Sequence, residues 1–151
     1  MNVFTHTIWI ARSPETVFDF FTDFSQAARW RQYVQSMRRL DDRPLGAGSR
    51  LEIVLQIMGE RQTIGMEVLA CERPGLWRHR TDESDFNGYV EYRFEPDGAG
   101  TQVTMRMEAK PKSVYGWLAM PLMLLRRETP YKEQLPQLKK VLEQQDSTLK
   151  T

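Results

Sequence analysis

The chain has 151 residues, 21 Lys and Arg against 20 Asp and Glu, and a formal net charge of +1. That length fits one domain with one core, a composition of 40% hydrophobic and 27% charged residues excludes wholesale disorder, and the balanced charge supplies no field to gather a nucleic-acid backbone. Cys71 is the only cysteine, so neither an intrachain disulfide nor a cysteine-based zinc cluster can form, and a reducing setting fits best.

Residues 3–11 alternate, with Phe4, His6, Ile8 and Ile10 on one face and Val3, Thr5, Thr7 and Trp9 on the other, which predicts a half-buried strand. This opening, MNVFTHTIWIARSPE, lacks the basic start, continuous apolar run and small-residue cleavage site of a secretion signal. Ser13 ahead of Pro14 reads as an N-cap with proline at the first helical position. A helix is expected from about Pro14 to Thr22, burying Val17, Phe18, Phe20 and Phe21, and Asp23 caps a second short helix through Ala27 and Ala28.

A meander follows, with strands predicted at 33–40, 49–58, 60–71, 76–83, 86–95 and 101–109. Its separators carry turn chemistry: PLGAGS at 44–49, Met58-Gly59-Glu60, Arg73-Pro74-Gly75 and Pro96-Asp97-Gly98-Ala99-Gly100. Strands joined this tightly must run antiparallel. Alternation puts Leu51, Ile53, Leu55 and Ile57 on the inner face. It adds Ile64, Met66, Val68 and Ala70; Trp77, His79 and Thr81; Phe86, Gly88, Val90, Tyr92 and Phe94; and Val103, Met105, Met107 and Ala109. The opposite sets, such as Arg93 with Glu95 and Arg106 with Glu108, suit a solvated convex face.

A closing helix is expected from near Ser113 to about Gln144. Its first half is strongly apolar, with Val114, Trp117, Leu118, Met120, Leu122, Met123, Leu124 and Leu125. The run from Trp117 to Leu125 falls far short of the roughly 20 residues a membrane-spanning helix needs, so a soluble, cytoplasmic protein is expected. Leu135, Leu138, Val141 and Leu142 give the second half an apolar stripe. Pro121, Pro130 and Pro136 each remove an amide donor, which predicts a kink or split, foremost near Pro130. One domain over 1–146 and a short polar tail over 147–151 result.

Several segments carry a family likeness: IWIARSPETVFDFFTDF at 8–24 with Trp30 soon after, PLGAGSRL at 44–51, EVLACERPGLWRHR at 67–80, YVEYRFEPDGAGTQVTMRMEA at 89–109 and LPQLKKVLE at 135–143. In this order they resemble the START-like, or SRPBCC, superfamily, specifically its polyketide cyclase/dehydrase and lipid-transport branch. The resemblance implies an α+β helix-grip fold: a curved seven-stranded antiparallel sheet, two short helices after the first strand, and a long C-terminal helix over the concave face. It places Trp30 at a pocket rim or, as we favour, as a packing anchor. His79 stands where the family usually has an apolar residue, and Pro130 or Pro136 where it usually has a polar helix position.

On the inner face His79 could orient a ligand carbonyl or hydroxyl, act in proton transfer, or be satisfied within the core. Tyr92 offers a ring and a hydroxyl for the same pocket or for packing. The expected cavity is lined by Trp77, His79, Thr81, Val90, Tyr92, Met66, Leu55, Met105, Met107, Trp117, Met120 and Met123, the methionines adapting to irregular apolar shapes. His6 shares the inner parity but lies near the strand's start. No catalytic residue is assigned beyond His79 and Tyr92 as weak candidates. No metal is expected, since the two histidines lack HExxH or facial-triad spacing, and no cofactor is implied. The acidic segment TDESDF reads as a solvated turn, and no serine has a GxSxG setting.

The function expected is binding, transport or sensing of a small hydrophobic or amphipathic ligand such as a lipid, isoprenoid or polyketide, with no nucleic-acid partner. A cofactor-independent cyclase/dehydrase of the aromatase type is the alternative. A noncatalytic membrane- or protein-interaction module is the second, because Lys110, Lys112, Arg126 and Arg127 flank the apolar Trp117 segment as in an interfacial helix that makes transient membrane contact.

Overall fold

The computed structural model describes residues 2–82 and 86–149, with side chains for all of these except 2, 3, 86, 120, 122–132 and 145–149. Strand β1 (Asn2–Ile10) leads into α1 (Pro14–Phe21), a 3₁₀ turn (Phe24–Gln26) and α2 (Ala27–Trp30). Then come β2 (Val34–Arg39), β3 (Arg50–Ile57), β4 (Glu60–Glu72), β5 (Leu76–Asp82), β6 (Phe86–Asp97), β7 (Gly100–Pro111) and α3 (Val114–Leu149). The seven strands form one antiparallel sheet in the order β1-β7-β6-β5-β4-β3-β2. The meander builds the sheet by successive hairpins, and β1 returns to cover its β7 edge.

Local chemistry sets the boundaries. The Ser13 hydroxyl accepts from the Thr16 amide at 3.2 Å, with Pro14 opening α1. An Asp23 carboxylate oxygen accepts from the Ser25 amide at 3.2 Å and caps the 3₁₀ turn. The β6–β7 turn uses Gly98 at φ +60°. Gly100 follows it, where a Cβ would collide with the Ile10 carbonyl oxygen and approach Trp9 Cζ2 to 2.6 Å. The Trp9 indole covers that turn and donates to the Asp97 carbonyl at 3.1 Å.

On the concave side α1 lays Phe18 and Phe21 against β6, with ring centroids 5.4 Å and 5.2 Å from Phe94 and Phe21 only 4.6 Å from Tyr92. Burying each such ring contributes about 1.5–3 kcal/mol. Trp30 is buried 5.4 Å from Phe21, a packing anchor. The second half of α3 completes the core with Leu135, Leu138, Val141 and Leu142. Charges occupy the convex side, where Arg80 meets Glu67 at 2.6 Å and Arg38 meets Glu52 at 3.0 Å across neighbouring strands. Partly exposed pairs of this kind add at most about 1 kcal/mol each.

Ala70 leaves the inner face to which strict alternation assigned it. The β4–β5 register shifts between Val68 and Ala70, so Cys71 stands opposite Trp77 and packs on the core. A bulge inserts one residue and reverses the alternation beyond it. Nor does α3 split near Pro130: one helix of 36 residues runs across Pro121, Pro130 and Pro136. Each proline costs about 3 kcal/mol in a helix interior, but the hydrogen bonds on either side and the buried leucines of the second half keep the helix continuous.

Trp117 is the larger correction. It is 62% exposed, together with Val114, Tyr115 and Leu118. Gly116 is buried and Ala119 half-buried, so the helix turns its small residues toward the protein. Trp117, one residue on, is rotated by about 100° out of that contact. Met58 likewise sits fully in solvent at the β3–β4 turn, and Ile57 beside it is exposed. The side chains of Met120 and Met123, and residues 83–85 of the acidic segment, lie outside the described residues.

Candidate functional site

Strand register arranges the inner face in rows. Cys71, Trp77, Tyr92, Met105 and His6 form one row from β4 to β1; Val68, His79, Val90 and Met107 form the next; Met66, Thr81, Gly88 and Ala109 form a third. Trp77, His79, Val90, Tyr92, Met66, Met105 and Met107 are all buried. Thr81 is half-buried at its place in the third row, and Leu55 is half-buried against the core. His6 stands opposite Met105, half-buried beside Phe4. The sheet residues of the expected lining therefore share one face, Trp117 stands outside it, and the side chains of Met120 and Met123 lie outside the described residues.

Polarity concentrates in the first two rows. The Trp77 indole Nε1–H donates to His79 Nδ1 at 2.8 Å. An indole can only donate, so Nδ1 must carry the lone pair, and the neutral ring holds its proton on Nε2. That Nε2–H makes no hydrogen bond among the described residues, although His79 is only 3% exposed. Burial first, and then the charge of Arg31, push the His79 imidazole down from 6.5 to about 3. The ring is therefore neutral at physiological pH and acts as a fixed hydrogen-bond donor. Its one basic nitrogen is already engaged, which leaves it poorly suited to accept a proton.

Two partners of this cluster are absent from the sequence reading. Gln134 of α3 is buried and its Oε1 accepts from the Tyr92 hydroxyl at 3.1 Å. Its spacing from Leu138 and Val141, i, i+4 and i+7, was the available signal. Arg31, just after α2, is 6% exposed, its guanidinium 4.3 Å from the Trp30 ring centroid and 5.0 Å from that of Phe21. No local pattern announces a buried arginine in a loop; the faces of the two rings are favourable neighbours for its cation. Outside the cluster, Trp30, Arg31, Tyr33 and Val34 face Glu133 and Gln137 of α3 across a cleft of about 330 Å³. The cleft thus shares Trp30 and Arg31 with the interior.

Residues 1–143 match the protein family described as polyketide cyclase / dehydrase and lipid transport. The chain belongs to that family. The family implies a cavity for a hydrophobic ligand, which agrees with an inner face that is apolar but for this cluster. Among solved structures, a Thermus thermophilus protein is similar over 91% of this chain and 94% of its own, at 20% identity and a TM-score of 0.73. A START superfamily protein from Mycobacterium smegmatis covers 93% and 97% at 17% identity and a TM-score of 0.69. An aromatase/cyclase from a Streptomyces species covers 93% and 92% at 14% identity and a TM-score of 0.72. These identities establish a shared fold. No curated protein matches the sequence. Among the described residues no group of three His, Cys, Asp or Glu is placed to hold a metal, and no helix is long and apolar enough to cross a membrane.

Proposed function

We propose that this family member binds a small hydrophobic or amphipathic molecule, of the lipid, isoprenoid or polyketide kind, between the concave sheet and α3, as a carrier or sensor. The observation that carries this reading is the His79 imidazole: the residue is 3% exposed, its Nδ1 is taken by the Trp77 indole, and its Nε2–H makes no hydrogen bond among the described residues. It stands directly beside the row where Thr81, Gly88 and Ala109 succeed one another across β5, β6 and β7. Small side chains there lower the floor of the inner face, and a single oriented donor in an apolar setting fixes the polar end of an otherwise greasy ligand. Thr81, Val90, Met66, Met105 and Met107 would line the chain of that ligand, with Leu55 toward its β3 side.

Native mass spectrometry of freshly purified protein should show a co-purifying small molecule. After delipidation, saturable binding should return with members of a lipid, isoprenoid and polyketide panel. A protein that carries nothing and binds no member of the panel would refute the proposal.

Two other readings have an observation each. A cyclase-type activity would use the same Nε2–H to polarise a substrate carbonyl, positioning doing the rest. It predicts turnover that falls with His79→Phe and Tyr92→Phe. An interaction role would use the exposed Val114, Tyr115, Trp117 and Leu118 for transient contact with a membrane or protein. Vesicle co-sedimentation abolished by Trp117→Ala in a folded protein would support it, and no association would count against it.

A further inference from the structure

We infer that the start of α3 and the tip of the β3–β4 turn together form a docking surface for the electrically neutral face of a lipid bilayer. Its use, passing the ligand between membrane and protein, rests on the binding role proposed above. The surface itself rests on apolar side chains that no packing within the fold accounts for.

Val114, Tyr115, Trp117 and Leu118 are 77%, 71%, 62% and 78% exposed. At about 100° per residue, Trp117, Val114, Leu118 and Tyr115 succeed one another around an arc of about 160°. Gly116 and Ala119 take the opposite side, toward the protein. The helix thus reverses the usual pattern and holds its bulky apolar side chains in water. At the β3–β4 turn, Ile57 pairs with Glu60, and Met58 and Gly59 between them have φ +53° and +82°. A two-residue turn with positive φ at both central residues suits Asn or Gly at the first of them. Here a methionine takes that place, 98% exposed, with Ile57 exposed beside it.

Topology brings the two elements to the same end of the sheet. Gly65 of β4, Asp82 of β5, Asn87 of β6 and Lys110 of β7 stand in one row across the strands. From that row β4 runs back to the tip at Glu60, and β7 runs on through Pro111 to α3. The adjoining row on the inner face is that of Met66, Thr81, Gly88 and Ala109, so the small residues beside His79 lead toward this end.

Charge and residue type select the occupant. Trp and Tyr among aliphatic neighbours settle at the level of lipid head groups, with the ring in hydrocarbon and its N–H or O–H in water. Nearby charges alternate in sign: Glu60 adjoins Arg61 at the tip, Lys112 meets Asp82 at 2.6 Å, and Lys110 lies 4.8 Å from the Tyr89 ring centroid. Mixed charges of this kind complement the phosphate and ammonium of a zwitterionic head group and draw little on an anionic surface. A bilayer deforms around two separate projections, whereas a folded partner would need a matching recess for each. No described helix is long and apolar enough to cross the bilayer, so the contact is superficial.

The test measures association of delipidated, ligand-free protein with phosphatidylcholine vesicles, by co-sedimentation and tryptophan fluorescence. The protein should co-sediment and its emission should shift to the blue. Adding phosphatidylserine, or raising the salt to about 0.5 M, should change the association by less than about twofold. Trp117→Ala and Met58→Asp should each weaken it about tenfold or more, at unchanged melting temperature. Trp117→Phe and Met58→Leu, which keep apolar bulk, should retain most of it. No association with phosphatidylcholine, association that requires phosphatidylserine and vanishes in salt, or indifference to either disruptive substitution overturns the inference. So does self-association that Trp117→Ala abolishes, since the occupant would then be a second copy of the chain. Because no ligand is present, vesicle docking beside an empty lipid, isoprenoid and polyketide panel would overturn the binding role and leave the surface standing.

Discussion

The buried His79 makes stability depend on pH in a calculable way. In the unfolded chain its imidazole takes up a proton near 6.5; in the folded protein it does so only near 3, because burial and then the Arg31 charge disfavour the cation. Lowering the pH below 6.5 therefore favours the unfolded state, which binds the extra proton, and the loss continues down to about 3. At roughly 1.4 kcal/mol per pH unit, acidification to about pH 5 should remove about 2 kcal/mol of this residue's contribution. His79→Gln keeps a neutral polar side chain and removes the titration. Urea unfolding of both proteins at about pH 7.5 and pH 5 isolates the effect, since every other ionisable group is common to the two. The unaltered protein should lose about 2 kcal/mol more than the variant over that interval. Equal losses would show that His79 is not buried as a neutral ring, and the donor assignment at Nε2 would fall with it.

Other substitutions separate surface from core. Trp117→Ala should change unfolding stability by no more than about 0.5 kcal/mol, because the ring is 62% exposed; a cost of about 3–5 kcal/mol in urea unfolding would show instead that it is a core residue. Tyr92→Phe deprives the buried Gln134 Oε1 of its donor and should cost about 1–3 kcal/mol by the same assay. Gly100→Ala should lower the melting temperature, with a destabilisation of about 1–3 kcal/mol, since the new methyl group meets the Ile10 carbonyl and the Trp9 ring and neither can retreat without opening the β1–β7 edge.

Much of the fold is legible because its signals are local. Period-two alternation and turn residues place all seven strands to within about two residues, and the Ser13-Pro14 cap places α1. The misplacements have non-local causes. Ala70 fails because a bulge depends on how β4 pairs with β5, which its own alternation does not reveal. Trp117 fails because a stretch apolar on nearly all sides does not say which side faces the protein; in the structure Gly116 and Ala119 take that side. At Pro130 the sequence predicts a kink or a split, and the split does not occur because hydrogen bonds and packed leucines elsewhere along the helix outweigh the local cost of the proline.

For the site, sequence by itself determined the inner-face parity of Trp77, His79 and Tyr92, since side chains two apart on a strand must share a face, and the family to which that pattern belongs. The tertiary structure decided what those residues can do. Trp77 reaches His79 Nδ1 only because both are buried on one pleat, and that contact turns an ambiguous histidine into a fixed donor. Arg31 and Gln134 come from a loop and from the far half of α3, 48 and 55 residues from His79 in opposite directions along the chain. Their approach to the inner face depends on how the helices close over the sheet, which no pattern local to either residue encodes.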